Sequence, residues 1–474
     1  MSRYLLLLSV LLFSLSLFAA GHDVSTTAAR QSLPVVTGNG AGFTAAWLEQ
    51  SDQIRNVVAG RVSHGGEPLD GAGIAIDQKP TFSLSIAHSS SESLIVWTSN
   101  LNLFAARLSP AGVRLDTTPL LITNQPAGDS AVAWNGGRYL VVWTGGTKLL
   151  GAFVGTDGTV TAPKALFTQT NAGSDIFAPD VSWDGRQFVV TFGEAPPNSG
   201  PICTCISYPD HVRVMRVSAT GDAIDAVPVR IPGLHVSAHV ASSGTESLIA
   251  LDAGHDTTTM IVHEEGGALQ LGPEVPIFHW FFSLSSDVTW DGAAYDVGWR
   301  YPAALTMPGW LGVSRISRSG SPIGSFFTAA AGAPDSLYPP PGTSIAANDA
   351  GEFALVTSDA MSSVARAHLY LMSELAPMPA APPAPRNAVS YLGGSKARID
   401  WQSDGGADGF LIEQSTDFGL HWFVADIRAP EVRTATVTAS VGNLFRVSAF
   451  GAGGLSATGT ITSIGSSPRR RAQR

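Results

Sequence analysis

The stretch AVAWNGGRYLVVWTGG, residues 131–146, decides the reading of this chain. A short apolar run ends at Trp134, a polar Asn-Gly-Gly step follows, and a second apolar run ends at Trp143. Asn-Gly steps between apolar runs favour tight hairpins, because positive φ costs little there. The stretch therefore reads as two antiparallel strands whose tryptophans stand nine positions apart.

The same register recurs along the chain. It reads GNGAGFTAAW from Gly38, HSSSESLIVW from His88, WDGRQFVVTF from Trp183, SSGTESLIAL from Ser242, WDGAAYDVGW from Trp290 and NDAGEFALVT from Asn348. An aliphatic residue stands two places before most of these anchors: Val36, Ile86, Val132, Val181, Val240 and Val288, with Ala346 in the last unit. A third strand, a polar turn and a fourth strand follow, as in LFAARLSPAGVRLDTTPLLI. The anchors are spaced by 50, 46, 49, 59, 48 and 58 residues. Four strands in a unit of that length are the signature of a propeller blade.

These units resemble the "AWDG-x-x-Y-L-V-V-W" repeats of secreted bacterial β-propellers, over roughly residues 22–376. The resemblance implies an all-β fold, a seven-bladed β-propeller of four-stranded antiparallel blades. Six or eight blades, or an open solenoid, are the competing architectures. The seventh unit runs into ELAPMPAAPPAPR, and proline-rich sequence cannot form a central strand. Its fourth strand is therefore expected from the N-terminal side, at Asp23–Thr27, closing the last blade and removing a sheet edge.

The N-terminus reads as a secretory leader, residues 1–20: Arg3 is basic, residues 4–18 are apolar, and Ala19-Ala20-Gly21 is a small-residue exit. The apolar run is short for a membrane span, and no later segment is apolar enough to cross a bilayer. A secreted, cell-surface or periplasmic location is expected. Only two cysteines occur, Cys203 and Cys205. A disulfide between them is possible only in a tight turn, since an extended chain holds their Cα atoms roughly 6–7 Å apart. The net charge of −10 argues against nucleic acid as a partner. An extracellular glycan or protein partner and a monomeric chain are the expectations.

Residues 377–385 read as a stiff proline-rich linker and 386–466 as a second module. Trp401, GFLIEQS and LFRVSAFGAGGLS resemble a fibronectin type III domain, a small β-sandwich. Asn443 stands where that family usually carries the tyrosine of its corner, and no Arg-Gly-Asp tripeptide is present. Ser415–Trp422 resembles the Asp-box of sialidase propellers and reads as a local turn around Asp417. The last residues, 467–474, form a basic tail with Arg469, Arg470, Arg471 and Arg474.

No H-E-x-x-H, G-x-S-x-G, Walker A or EF-hand pattern occurs. His235 and His239 do not make a metal pair, because a strand sets positions four apart about 13 Å from each other. Asp184 and Asp291 read as turn residues. No cofactor or metal is expected. The second-to-third loops vary most in length, and long loops on a rigid scaffold carry function more often than short ones. They and the positions just after the second anchors supply Glu49, Glu194, His255, Asp256, Arg300, Tyr301, Trp310 and Asp359 as ligand-binding candidates, with the fourth and sixth units favoured. Three functions fit: a non-catalytic binding or cell-surface interaction protein, a carbohydrate-active or other polymer-hydrolysing enzyme, or a structural envelope component.

Overall fold

A computed structural model describes residues 21–464, apart from 41, 52, 53, 80, 171–174, 195–210, 234, 236, 253–255, 280–284, 302–308, 331–342, 360–365, 420, 421 and 452. The described residues are all-β save for one turn of 3-10 helix at Met372–Glu374. No described helix is long and apolar enough to cross a membrane. The chain divides into two compact units, the first ending at Pro377 and the second carrying the residues from Met378 onward.

The first unit is a succession of seven antiparallel sheets with at least four strands each, as in a β-propeller. Their first strands are Arg30–Gly38, Thr81–His88, Ser130–Trp134, Ile176–Trp183, Ser237–Ser242, Ser285–Trp290 and Thr343–Ala347. Each first strand lies against the next, and that of the seventh sheet lies against that of the first, so the inner strands close a cycle. The residue after each first strand is Asn39, Ser89, Asn135, Asp184, Ser243, Asp291 or Asn348. Its N–H donates to a carbonyl across the turn in all seven cases. In the second, third, fourth, sixth and seventh sheets its side chain also accepts backbone N–H groups, as Asp184 does from Arg186 and Gln187 and Asp291 from Ala293 and Ala294. Gly136, Gly185 and Gly292 share one place in this turn with φ of 90°, 95° and 96°, a region that a Cβ disfavours. Three of these hairpins also pack their anchor against the residue opposite in a tilted arrangement: Trp134 on Tyr139, Trp183 on Phe188 and Trp290 on Tyr295, with ring centroids 4.7–4.8 Å apart.

The last sheet corrects one detail of the repeat. Ala347, not Asn348, pairs with Phe353 as Trp134 pairs with Tyr139. The turn from Asn348 to Glu352 holds one residue more than its counterparts, so Ile345 and not Ala346 takes the aliphatic place. The seventh sheet is completed by His22–Asp23, which pairs antiparallel with Arg366–Leu371 at His22↔Leu369 and Asp23↔His368. The Val24 N–H extends the pairing to the Ala367 carbonyl, and Val24 is buried. The paired stretch thus begins one residue earlier and ends sooner than Asp23–Thr27. Ala376–Pro377 adds to the outer edge of the sixth sheet, a place where proline is tolerated.

A second repeated device ties neighbouring sheets together on their third strands. Arg61, Arg107 and Arg216 each grip an aspartate nine residues on, Asp70, Asp116 and Asp225. Each also donates to a backbone carbonyl of the following sheet: Pro110, Thr156 and Gly267. The equivalent place in the sixth sheet is Arg315, which pairs with Asp291 and Asp296. In the third it is Phe153, under the guanidinium of Arg138 at 3.6 Å from the ring centroid.

In the second unit, Arg386–Gly393, Lys396–Gln402 and Thr434–Thr438 form one sheet, and Gly409–Ser415, Phe423–Arg428 and Leu444–Gly451 the centre of another. Trp401, Ile399, Phe410, Ile412, Phe445 and Val447 share a buried cluster. Asn443 accepts from the Ser440 N–H at 2.7 Å and from Gln414 at 2.8 Å, a local cap. Ser415 donates to Asp417 and accepts the Gly419 N–H, both at 2.8 Å, as a turn motif does.

Candidate functional site

The seven first strands surround a cavity of about 560 Å³. Counting back three places from the end of each strand gives one layer around it: Val35, Ser85, Ala131, Asp180, His239, Asp287 and Ser344. Strand alternation sends the intervening aliphatic residues, such as Val181, Val240 and Val288, to the opposite face, where they are buried. Three consecutive strands therefore bring ionisable groups into one layer, and the other four bring apolar or hydroxyl groups.

Asp180, His239 and Asp287 converge, with one ligand-type atom from each lying within 4.8 Å of the others. His239 Nδ1 is 3.6 Å from Asp180 Oδ2 and 4.0 Å from Asp287 Oδ1. The backbone fixes both carboxylates. Asp180 accepts the N–H of Val181 and, from the neighbouring strand, that of Val240, each at 2.8 Å. Asp287 accepts Val288 N–H at 2.8 Å and Ile345 N–H at 3.0 Å. A bulge between Phe177 and Asp180 turns the strand just before the site. The three side chains remain partly exposed, His239 at 32% and each aspartate at 22%.

The electrostatics follow from this packing. Burial opposes a charge on His239, but the ion pair with Asp180 and the charges of Asp287 and Asp252 outweigh it and lift the imidazole to about 9. Burial pushes Asp287 up to about 6; His239 and the N–H groups of Ile345 and Val288 pull it down, and Asp180 adds to the rise. The site is an imidazole clamped between two oriented carboxylates on the cavity wall.

The residues expected to bind ligand do not meet there. Glu194 is buried against Arg213 at 2.7 Å and Gln169 at 2.7 Å. Arg300 is buried and donates to Thr357 Oγ1 at 2.7 Å and to the Ser358 carbonyl, joining the sixth sheet to the seventh. Trp310 is buried against Phe327, with centroids 5.2 Å apart. Glu49 sits half-buried in the second strand of the first sheet, opposite Gln31 and Asn56. Asp256 opens the third strand of the fifth sheet. Tyr301 and Asp359 end second strands, opposite Trp310 and Arg366 in register. His255, Cys203 and Cys205 lie outside the described residues, with most of the long loops. His235 turns away from the channel, toward the Pro232 carbonyl at 2.9 Å. Sequence reasoning set His239 beside His235 and passed over its partners. The signal was present nonetheless: Asp180, His239 and Asp287 each stand three places before an anchor, Trp183, Ser242 and Trp290.

The sequence matches no protein-family model and no curated protein. Similar solved structures include hydrazine synthase of Kuenenia stuttgartiensis, 10% identical, covering 75% of this chain and 99% of that one, with a TM-score of 0.48. A subtype N11 neuraminidase-like protein of A/flat-faced bat/Peru/033/2010 is 11% identical, covering 67% and 93%, with a TM-score of 0.38. The Penicillium chrysogenum alpha-L-arabinanase is 10% identical, covering 64% and 93%, with a TM-score of 0.39.

Proposed function

We propose that this is an exported binding protein: a seven-bladed β-propeller whose ligand enters the central channel, followed by a fibronectin type III-like β-sandwich. The leader at residues 1–20 supports export, and the pairing of His22–Asp23 with the last sheet supports a ring closed by the N-terminal strand. One observation carries the choice of site. Asp180, His239 and Asp287 converge on the cavity wall with their carboxylates held by backbone N–H groups, whereas Glu194, Arg300 and Trp310 are occupied in contacts within and between sheets.

The carboxylate pair does not suit glycoside hydrolysis. His239 stands between the two groups, with Nδ1 3.6 Å from Asp180 and 4.0 Å from Asp287. Glycosidases keep the space between their two carboxyl groups for the sugar. A binding role for an extracellular glycan or protein segment is the reading the geometry supports best.

The test is a glycan and protein array probed with residues 22–474, run beside a broad hydrolase screen. Captured ligands are expected to be lost in His239→Gln and kept in Glu265→Gln, a change at an exposed carboxylate outside the channel. Turnover abolished by Glu49→Gln, Glu194→Gln or Asp359→Asn would overturn the reading in favour of an enzyme acting at the loops.

A further inference from the structure

The three channel side chains approach the geometry of an open metal centre. Two donors that each bind a transition ion at about 2.1 Å can stand no more than about 4.2 Å apart. The separations from His239 Nδ1, 3.6 Å to Asp180 and 4.0 Å to Asp287, fall inside that limit, and the two aspartate oxygens, within 4.8 Å of each other, close to it as an ion binds. The two separations from His239 correspond to ligand–metal–ligand angles of roughly 120° and 145°. Small side-chain rotations bring both toward tetrahedral or octahedral values.

The surroundings favour the same reading. Metal-binding carboxylates are commonly fixed by hydrogen bonds from outside the coordination sphere. Here Val240 N–H fixes Asp180 from the strand that carries His239, and Ile345 N–H fixes Asp287 from the following sheet. Each carboxylate oxygen has two lone pairs and accepts one of these backbone bonds, so a second pair remains available to an ion. One imidazole with two carboxylates matches borderline divalent ions of the first transition row. Calcium, which takes six to eight oxygens, fits poorly. The remaining coordination positions face the cavity, as in zinc sites that bind water or substrate.

We infer that Asp180, His239 and Asp287 are the protein ligands of one divalent transition-metal ion, whose open positions receive the donor atoms of the channel ligand. This inference rests on the channel being the binding site.

The test uses residues 22–474, stripped with EDTA and dialysed, then titrated by calorimetry with ZnCl2 and separately with MnCl2. One ion per chain is expected for at least one metal. Asp180→Asn, His239→Gln and Asp287→Asn should each weaken its uptake about 30-fold or more. His64→Gln, at an exposed histidine away from the channel, should leave uptake unchanged. Bound metal should raise the melting temperature of the wild type and not that of His239→Gln, whose folding is checked by circular dichroism. No uptake tighter than about 100 µM, or uptake equal in wild type and all three site variants, overturns the inference. Array ligands held equally with and without EDTA, yet lost in His239→Gln, overturn the metal and leave the channel reading standing. Metal bound by the three residues while array ligands ignore His239→Gln overturns the channel reading instead.

Discussion

Two layers of the first unit occupy equivalent positions in successive sheets and behave in opposite ways. On the third strands one device recurs: Arg61, Arg107, Arg216 and Arg315 hold one place in four of the seven sheets, and three of them grip an aspartate nine residues on. Around the cavity the repeat is broken. Val35, Ser85 and Ala131 give way to Asp180, His239 and Asp287 in three consecutive sheets, and then to Ser344. A device that serves sheet-to-sheet joints recurs at several of them, while Phe153, Ile261 and Leu371 fill its place in the other sheets. A feature needed once per molecule appears as a departure from the repeat. The outer layer is thus assigned to stability and the inner layer to binding.

The largest expected effect falls on the outer layer. Arg216 is 4% exposed and serves Asp225 and Glu264 together, the latter at 3.0 Å. Arg216→Met leaves Asp225 without its arginine, while Glu264 keeps Arg186 and Gln187, and should cost about 3 kcal/mol in chemical denaturation. Ligand and metal affinity of the folded variant should stay unchanged. A parallel loss of affinity would merge the two layers and break the distinction.

Removing the closing strand tests the ring that both layers share. Deleting residues 22–28 removes the buried Val24, the pairing with Arg366–Leu371 and the contact of Arg366 with the Ser25 carbonyl at 2.9 Å. Calorimetry should show the melting temperature falling by about 5–10 °C. The newly bared sheet edge should promote association, read by light scattering. An unchanged melting curve would detach the N-terminal strand from the ring.

The inner layer should show the reverse pattern. His239→Gln is expected to weaken channel ligand binding by about 30-fold while the melting temperature moves by no more than about 3 °C. A large stability loss without a binding loss would assign the three side chains to packing.

A smaller effect lies beside the outer layer. Asp296 is fully buried next to Arg315, and burial, with Asp291 adding, drives its carboxyl up to about 8 despite the arginine. The folded chain therefore holds a proton there that the unfolded chain releases near pH 4. Stability should fall as pH rises from about 4 to about 8, and Asp296→Asn should remove about 1–2 kcal/mol of that fall. Urea denaturation at pH 5 and pH 9 checks it, and equal slopes for the two proteins would place the charge balance elsewhere.

Much of this was legible in the sequence. The nine-residue spacing from Trp134 to Trp143 and the polar step after each anchor announced the hairpins, because strand alternation and turn chemistry are local. The seventh unit misled by one residue, since an extra residue between Asn348 and Glu352 leaves the hydrophobic pattern almost intact. The site was less legible. Asp180 and His239 are 59 residues apart, and only the cycle of inner strands makes them neighbours. The loop candidates were read as free because they follow the second anchors. Glu194 and Arg300 still lie within the sheets, where Arg213 reaches Glu194, and where Thr357 and Ser358 receive Arg300.

The central claim is that the break in repeat symmetry at Asp180, His239 and Asp287 is the binding site. Anomalous diffraction at the zinc edge, from crystals of residues 22–474 grown with ZnCl2, tests it most directly. The account predicts one strong peak about 2.0–2.2 Å from a carboxylate oxygen of each aspartate and from His239 Nδ1. A fully occupied zinc elsewhere, with the channel wall bare of anomalous density, would contradict it.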